Sequence, residues 1–211
     1  MSRDQLRYTE WARQADERGP APVLPAATVV LLRDTADGLQ TLMLRKNSAI
    51  AVGGMWVFPG GRIDDVDRLT DDFETTARAA AAREAHEEAG VLVSPDEFAW
   101  FAHWVPPPIA PRRYATWFFA TVVEHDEVVI DGGEIHDHAW MSPADALFRC
   151  NELAIELAPP TWVTLHYLAG HDDAATAHAV LDAVEPRFYE THIGNLPEGP
   201  VAMWAGDAGY D

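Results

Sequence analysis

The stretch "ARAAAAREAHEEAG", residues 77 to 90, decides how the rest of the chain is read. Alanine has the highest intrinsic helix propensity, and a glycine just past the last helical residue supplies the left-handed C′ position that ends a helix cheaply. A helix is therefore predicted from about Asp72 to Ala89, with Gly90 as its stop. Its last turns carry Glu84, Glu87 and Glu88 at i, i+3 and i+4, so the carboxylates share one face. Like charges so placed cost a few tenths of a kcal/mol per pair in an isolated helix. One reading is a solvated acidic helix end, with Arg83 and Glu87 as an ordinary i, i+4 ion pair. The other is a carboxylate cluster that holds a hard cation, in which case repulsion becomes attraction for the ion.

Working outward, residues around "TVVLL" (28–32) and "LQTLMLR" (39–45) have strand character and flank the turn signal "DTADG", so they read as a hairpin. "MWVF" is a short strand that stops at "PGG", and an acidic loop leads into the helix. "FAWFAHWV" and "RYATWFFATVV" are aromatic strands separated by the rigid "PPPIAP" loop. "HAWM" is a further strand, after which Ser142 caps a helix with Pro143 at its first position. Helices are expected around 162–168 and 173–184. A first helix, capped by Ser2 and ended by Gly19, precedes an extended "PAPVLP" linker. The expected architecture is α+β, an α/β/α sandwich with a mixed sheet and extra N- and C-terminal helices. The expected organisation is a helix and linker at 1–25, one domain at 26–185, and an irregular Gly- and Pro-punctuated tail at 186–211.

The chain has 211 residues and a formal net charge of -19. Such a surface repels phosphate backbones and anionic headgroups, which argues against nucleic-acid and membrane partners. No apolar run approaches the ~20 residues of a membrane-spanning helix. The single cysteine, Cys150, forms no internal disulfide and reads as a packing residue, so a reducing, cytoplasmic setting is expected. Nothing resembling a secretory h-region stands in the charged N-terminal segment. A homodimer is an expectation from the exposed-looking first helix and Trp11.

Magnesium takes oxygen ligands in octahedral geometry and retains waters, so carboxylates from one helical turn supply half of such a site and leave the rest for water and phosphate oxygens. The "FPGG" turn at 58–61 offers backbone free of side chains for close approach. "REAHEEAGV" resembles the second half of the Nudix box, G-x5-E-x7-R-E-U-x-E-E-x-G-U, with U a bulky aliphatic residue. Arg83, Glu84, Glu87, Glu88, Gly90 and Val91 fall on its specified positions, and Gly61 resembles its opening glycine. There are two departures. Gly61 lies 22 residues before Arg83 instead of 14, and Thr75, with Glu74 beside it, stands where the first glutamate is expected; Ala85 replaces the aliphatic residue.

The resemblance implies a Mg2+-dependent diphosphohydrolase, with Mn2+ as a substitute ion. It implies Glu84 and Glu88 as principal metal ligands, Glu87 as a further one, Gly61 as a backbone ligand, and Arg83 as the residue that orients a box glutamate. Glu134, in the Gly-rich "DGGEIHDH" loop, is the candidate general base, with a plain surface turn as the competing reading. His136 and His138 read better as exposed turn residues than as metal ligands. The wider pattern, "FPGG" with Asp65, a long loop before the helix and "LAPPTW" at 157–162, resembles the branch that includes the animal peroxisomal coenzyme A diphosphatase. That implies coenzyme A or acyl-CoA as substrate. Hydrolysis of ADP-ribose or NADH-type compounds, and a non-catalytic nucleotide-binding module, remain alternatives. Arg45, Arg62, Arg112 and Arg113 are candidate phosphate-binding residues, and Trp104, Tyr114 and Trp117 candidate adenine-stacking ones, each with a surface or core reading beside it. "LAPPTW" lines an acyl pocket or simply starts a helix.

Overall fold

The computed structural model describes residues 3–47, 54–124 and 127–206. Helix α1 (Arg3–Arg18) precedes strands β1 (Val23–Thr35), β2 (Gly38–Lys46), β3 (Trp56–Val57) and β4 (Gly60–Arg62). A 3-10 turn at Asp65–Asp67 leads to helix α2 (Phe73–Ala89). Strands β5 (Ala99–Val105), β6 (Arg113–Val122) and β7 (Ile135–Met141) follow, then helices α3 (Pro143–Asn151), α4 (Pro159–Leu168) and α5 (Ala174–Ala183). The chain closes with β8 (Arg187–Glu190), β9 (His192–Leu196) and β10 (Gly199–Met203).

The main sheet runs β3-β2-β1-β6-β5-β8, with β4 paired to β1 and β7 to β2. It is mixed: β1 and β2 form the expected antiparallel hairpin, whereas β1 and β6 are parallel from Val23↔Arg113 to Leu32↔Val122. Strand β1 is buried on both faces, which explains its unbroken apolar run. Val29 and Leu31 face the layer of α2, and Val30 and Leu32 face the layer of α4 and α5. Helix α2 lies against the sheet through Ala77, Ala80, Ala81, Ala85 and Ala89, all fully buried. Small side chains at this spacing let the helix axis approach the strands closely. Asp72 caps it, its side chain accepting from Thr75 N at 2.8 Å, and Gly90 ends it with φ 71°. A cap of this kind contributes about 1 kcal/mol. The α/β/α sandwich with flanking helices is thus present.

Two expectations need correction. The "PAPVLP" linker is partly strand, because the start of β6 offers a partner for Val23–Pro25, and the Pro25 carbonyl accepts from Ile63 N at 3.0 Å. The tail is not irregular: β8 joins the sheet parallel to β5, and β9 and β10 form a hairpin. Pro186, Pro197 and Gly206 fall outside its strands, but Gly194 lies within β9 and Gly199 and Pro200 within β10, while Phe188, Tyr189, Ile193 and Val201 supply strand character. Tyr189 stacks on Trp104 at 3.9 Å between ring centroids, which anchors the tail to the core. The Ser2 cap lies outside the described residues. Among the described residues no helix is long and apolar enough to cross a membrane.

Candidate active site

The last turns of α2 lie over the β4 turn, and the two meet through the glutamates. Glu88 is 4% exposed; its Oε2 accepts from Gly60 N at 2.9 Å and its Oε1 from Lys46 Nζ. Glu84 packs on Gly61 so closely that a Cβ there would stand 2.4 Å from Oε1, which excludes any side chain at that position without displacing Glu84. Glu87 is exposed and is held by Arg83 Nη1 at 2.8 Å.

Arg83 is fully engaged. Its Nε and Nη2 grip Asp67 Oδ1 and Oδ2 at 2.8 and 3.0 Å, its Nη2 also donates to the Arg62 carbonyl at 3.0 Å, and its Nη1 reaches Glu84 Oε1 at 3.0 Å. A two-point fork of this kind suits a planar guanidinium and not an ammonium. The orienting role thus covers Glu84 and Glu87 together with the buried Asp67, a partner from the acidic loop. Burial alone would raise the Asp67 carboxyl, but the Arg83 fork and the Asp64 N–H hold it below its usual range. The sequence reading missed Asp67, since no periodic pattern links it to Arg83 sixteen residues on. Nor did it give Lys46, just after the "LQTLMLR" strand, a role among the glutamates. The alternation of Leu42, Leu44 and Lys46 along β2, two of them packed in the α2 cluster, is the signal that could have placed it under the glutamates.

Burial and the neighbouring Glu88 push Glu84 up to about 7, against the pull of Arg83. Glu88 is also raised, by burial, against Lys46 and the Gly60 N–H. Glu134 stands at the rim, exposed, with Oε2 3.8 Å from Lys46 Nζ. The Asp131 side chain pins its loop by accepting from Glu134 N and Ile135 N at 2.9 Å each, so the glycine-rich segment is a structured turn.

The basic residues proposed for phosphate contact are dispersed. Arg62 folds onto Asp64, with Nε to Oδ1 at 2.7 Å. Arg113 donates to the Pro106 carbonyl at 3.2 Å, and Arg112 beside it is exposed. Arg45 is exposed on β2, opposite Trp56 and Asp137. Of these only Arg62 adjoins the glutamates, through its carbonyl to Arg83. Trp104 is 3% exposed and stacked on Tyr189, so it is a core residue and not an adenine platform. Trp117 is half-buried and stacked on Trp100 at 4.3 Å; Tyr114 is half-buried. His136 and His138 lie in β7 instead of a turn, the first exposed and the second half-buried. Cys150 is half-buried with its thiol raised by burial, in keeping with packing. Pro159 and Pro160 open α4, so the helix-start reading of "LAPPTW" holds. Leu157 and Trp162 also line a cavity of about 380 Å³ with Tyr8 and Trp204.

Among the described residues no three His, Cys, Asp or Glu side chains converge as a metal cluster. Arg83 pairs with Glu84 and Glu87, and Lys46 with Glu88. The donor chemistry nevertheless fits a hard divalent cation: Lys46 carries a positive charge into a setting of oxygens, Glu88 on one side and the Gly60 carbonyl 3.5 Å away on the other. Glu88 lies close enough to raise the proton affinity of Glu84, as one carboxylate does to another in a cation-binding pair.

A NUDIX domain model matches residues 23–168, and the chain belongs to the NUDIX family. That membership, with the fold of NUDIX hydrolases, supports a pyrophosphohydrolase. The fold is similar to a NUDIX hydrolase from Alicyclobacillus acidocaldarius, at TM-score 0.69 and 23% identity over 78% of this chain and 99% of that one. It is also similar to the NUDIX domain of Shewanella oneidensis NrtR, solved with ADP ribose, at TM-score 0.54 and 17% identity over 79% and 96%. A MutT NUDIX hydrolase from Burkholderia pseudomallei gives TM-score 0.52 and 16% identity over 69% and 98%. No curated protein matches the chain.

Proposed function

We propose that the chain hydrolyses, with Mg2+ or Mn2+, the diphosphate bond linking a nucleoside to a second moiety. Coenzyme A or acyl-CoA, cut to 3′,5′-ADP and a 4′-phosphopantetheine product, is our first choice of substrate. The observation that carries the reading is the Glu84–Glu88 pair seated on the Gly60–Gly61 backbone. Glu84, Glu88 and the Gly61 backbone would hold the cation, with Glu87 as a further or water-mediated ligand. When bound, the cation neutralises the diphosphate and acidifies a water. Arg83, clamped by Asp67, keeps Glu84 and Glu87 in place. Glu134 is exposed at the rim and takes the proton of the attacking water as general base. Arg62 contacts phosphate oxygens once it leaves Asp64, and Arg45, Arg112 and Arg113 stand further out for the remaining phosphates.

The acyl-CoA choice rests on the "LAPPTW" resemblance and on the cavity that Leu157 and Trp162 share with Tyr8. A second reading, cleavage of an ADP-ribose type substrate, is favoured by the ADP ribose held in the similar NrtR domain. The retained glutamates speak against a module that binds without cutting. A cytoplasmic setting and a homodimer remain part of this proposal. Mass-resolved product analysis over coenzyme A, acyl-CoA, ADP-ribose and NADH tests it. Metal-dependent 3′,5′-ADP from the coenzyme A compounds alone supports the first choice; cleavage of ADP-ribose or NADH instead supports the second.

A further inference from the structure

Lys46 ends β2 on the face that Leu42 and Leu44 turn toward α2, and its side chain is 10% exposed. A buried ammonium is costly unless it is paired. Among the described residues every partner of its ammonium is an oxygen, and these partners come from three separate elements. They are Glu88 Oε1 on α2, the Gly60 carbonyl on β4 at 3.5 Å, and Glu134 Oε2 before β7 at 3.8 Å. Asp131 also feels its charge. The backbone tethers this corner, with Asn47 N donating to the Glu134 carbonyl at 2.7 Å.

The charges in this corner do not balance. Arg83 is committed to Asp67 and shared with Glu84 and Glu87, so one ammonium serves Glu88, Glu134 and part of the field of Glu84. A divalent ion would balance the pair Glu84 and Glu88 better than Lys46 does. The lysine stem is flexible and its ammonium is a compact charge, so it can change partner without moving the strand.

We propose that Lys46 is a tethered counter-cation of this site: it yields Glu88 to an entering divalent cation and turns its ammonium to the diphosphate of the substrate. This rests on the metal-dependent reading above. Lys46 thereby acts with opposite sign on two ligands, opposing the ion and favouring the phosphate.

The test uses the full chain and equilibrium binding, without turnover. Lys46→Met keeps length and removes charge. Calorimetry is expected to show Mn2+ bound about tenfold tighter than in the wild type, since a competing charge within about 4 Å is gone. Binding of non-hydrolysable methylene diphosphonate to the Mn2+-saturated variant is expected to be about tenfold weaker. A structural ion pair would instead lower both affinities or neither, and either result overturns the proposal, as does a change in only one. Amine labelling of the wild type keeps the question open to test if the variant does not fold. Acetylation of Lys46, read by peptide mass, should rise several-fold on adding Mn2+ and fall again with the diphosphonate; unchanged labelling overturns the proposal. A Glu84→Gln/Glu88→Gln control separates the two readings. If Mn2+ binding is the same with and without those carboxylates, the metal reading of the site fails and not the role of Lys46 alone.

Discussion

Glu84 carries a proton equilibrium that the whole site feels. Its carboxyl is pushed up to about 7, mainly by burial and then by Glu88, from the ordinary value of 4.5. An acid whose folded value lies above its unfolded value stabilises the fold fully below about 4.5, and that contribution is lost as pH rises through about 7. Divalent-ion affinity runs the other way, because the ligand must be ionised. Calorimetry in buffers of different ionisation enthalpy should show a proton released per ion bound at pH 6, and little release at pH 8. Gly61 makes a separate prediction. In Gly61→Ala the new methyl would stand 2.4 Å from Glu84 Oε1, so the carboxylate must move. We expect at least a tenfold fall in kcat/KM with a loss of about 1–3 kcal/mol in stability, read by denaturant titration. At this scale the glutamates were legible from helical spacing, and Gly61 from its motif. Asp67 was not, because its link to Arg83 is a tertiary contact that no local pattern encodes.

The elements that carry these residues are fastened to each other by few, well-defined contacts. The Arg83–Asp67 fork ties α2 to the long loop before it, with the Asp67 side chain 3% exposed. Removing one partner of a buried pair leaves the other charge uncompensated. Asp67→Ala is therefore expected to cost about 3 kcal/mol, roughly 6–12 °C in Tm by calorimetry, and to lower activity by releasing Arg83. Helix α2 and the β1–β2 hairpin were readable because their signals are local: alanine content, a cap, a glycine stop, and apolar strands around a turn. Strand β8 was not readable, since four residues gain strand conformation only by pairing with β5. Pro197 marked the hairpin turn correctly, whereas Gly194, Gly199 and Pro200 hid the strands they lie in.

Across the whole molecule the charge of -19 sets conditions that no single contact does. Self-repulsion of so acidic a surface weakens the compact state, and salt screens it over a Debye length of about 10 Å at 0.1 M. Raising NaCl from about 10 mM to 0.3 M should raise Tm by a few degrees; a fall would show that surface ion pairs such as Arg13–Glu17 outweigh the repulsion. The sandwich itself was legible from the order of elements, whereas the joining of α1 to the β9–β10 hairpin was not. Gln5 Nε2 donates to the Glu198 carbonyl at 2.7 Å, and Arg7 pairs with Glu156 beside the "LAPPTW" segment. These contacts join α1 to the hairpin and to the segment before α4 through side chains with no sequence signature.

The central claim is that Glu84 and Glu88 hold a divalent cation at which a diphosphate is cleaved. The most direct measurement is mass-resolved hydrolysis of the diphosphate panel with Mg2+ by the wild type and by Glu88→Gln, with circular dichroism to confirm that both are folded. The account predicts metal-dependent cleavage by the wild type and a loss of about 100-fold or more in the variant with its fold intact. Equal, undiminished cleavage by Glu88→Gln would contradict it.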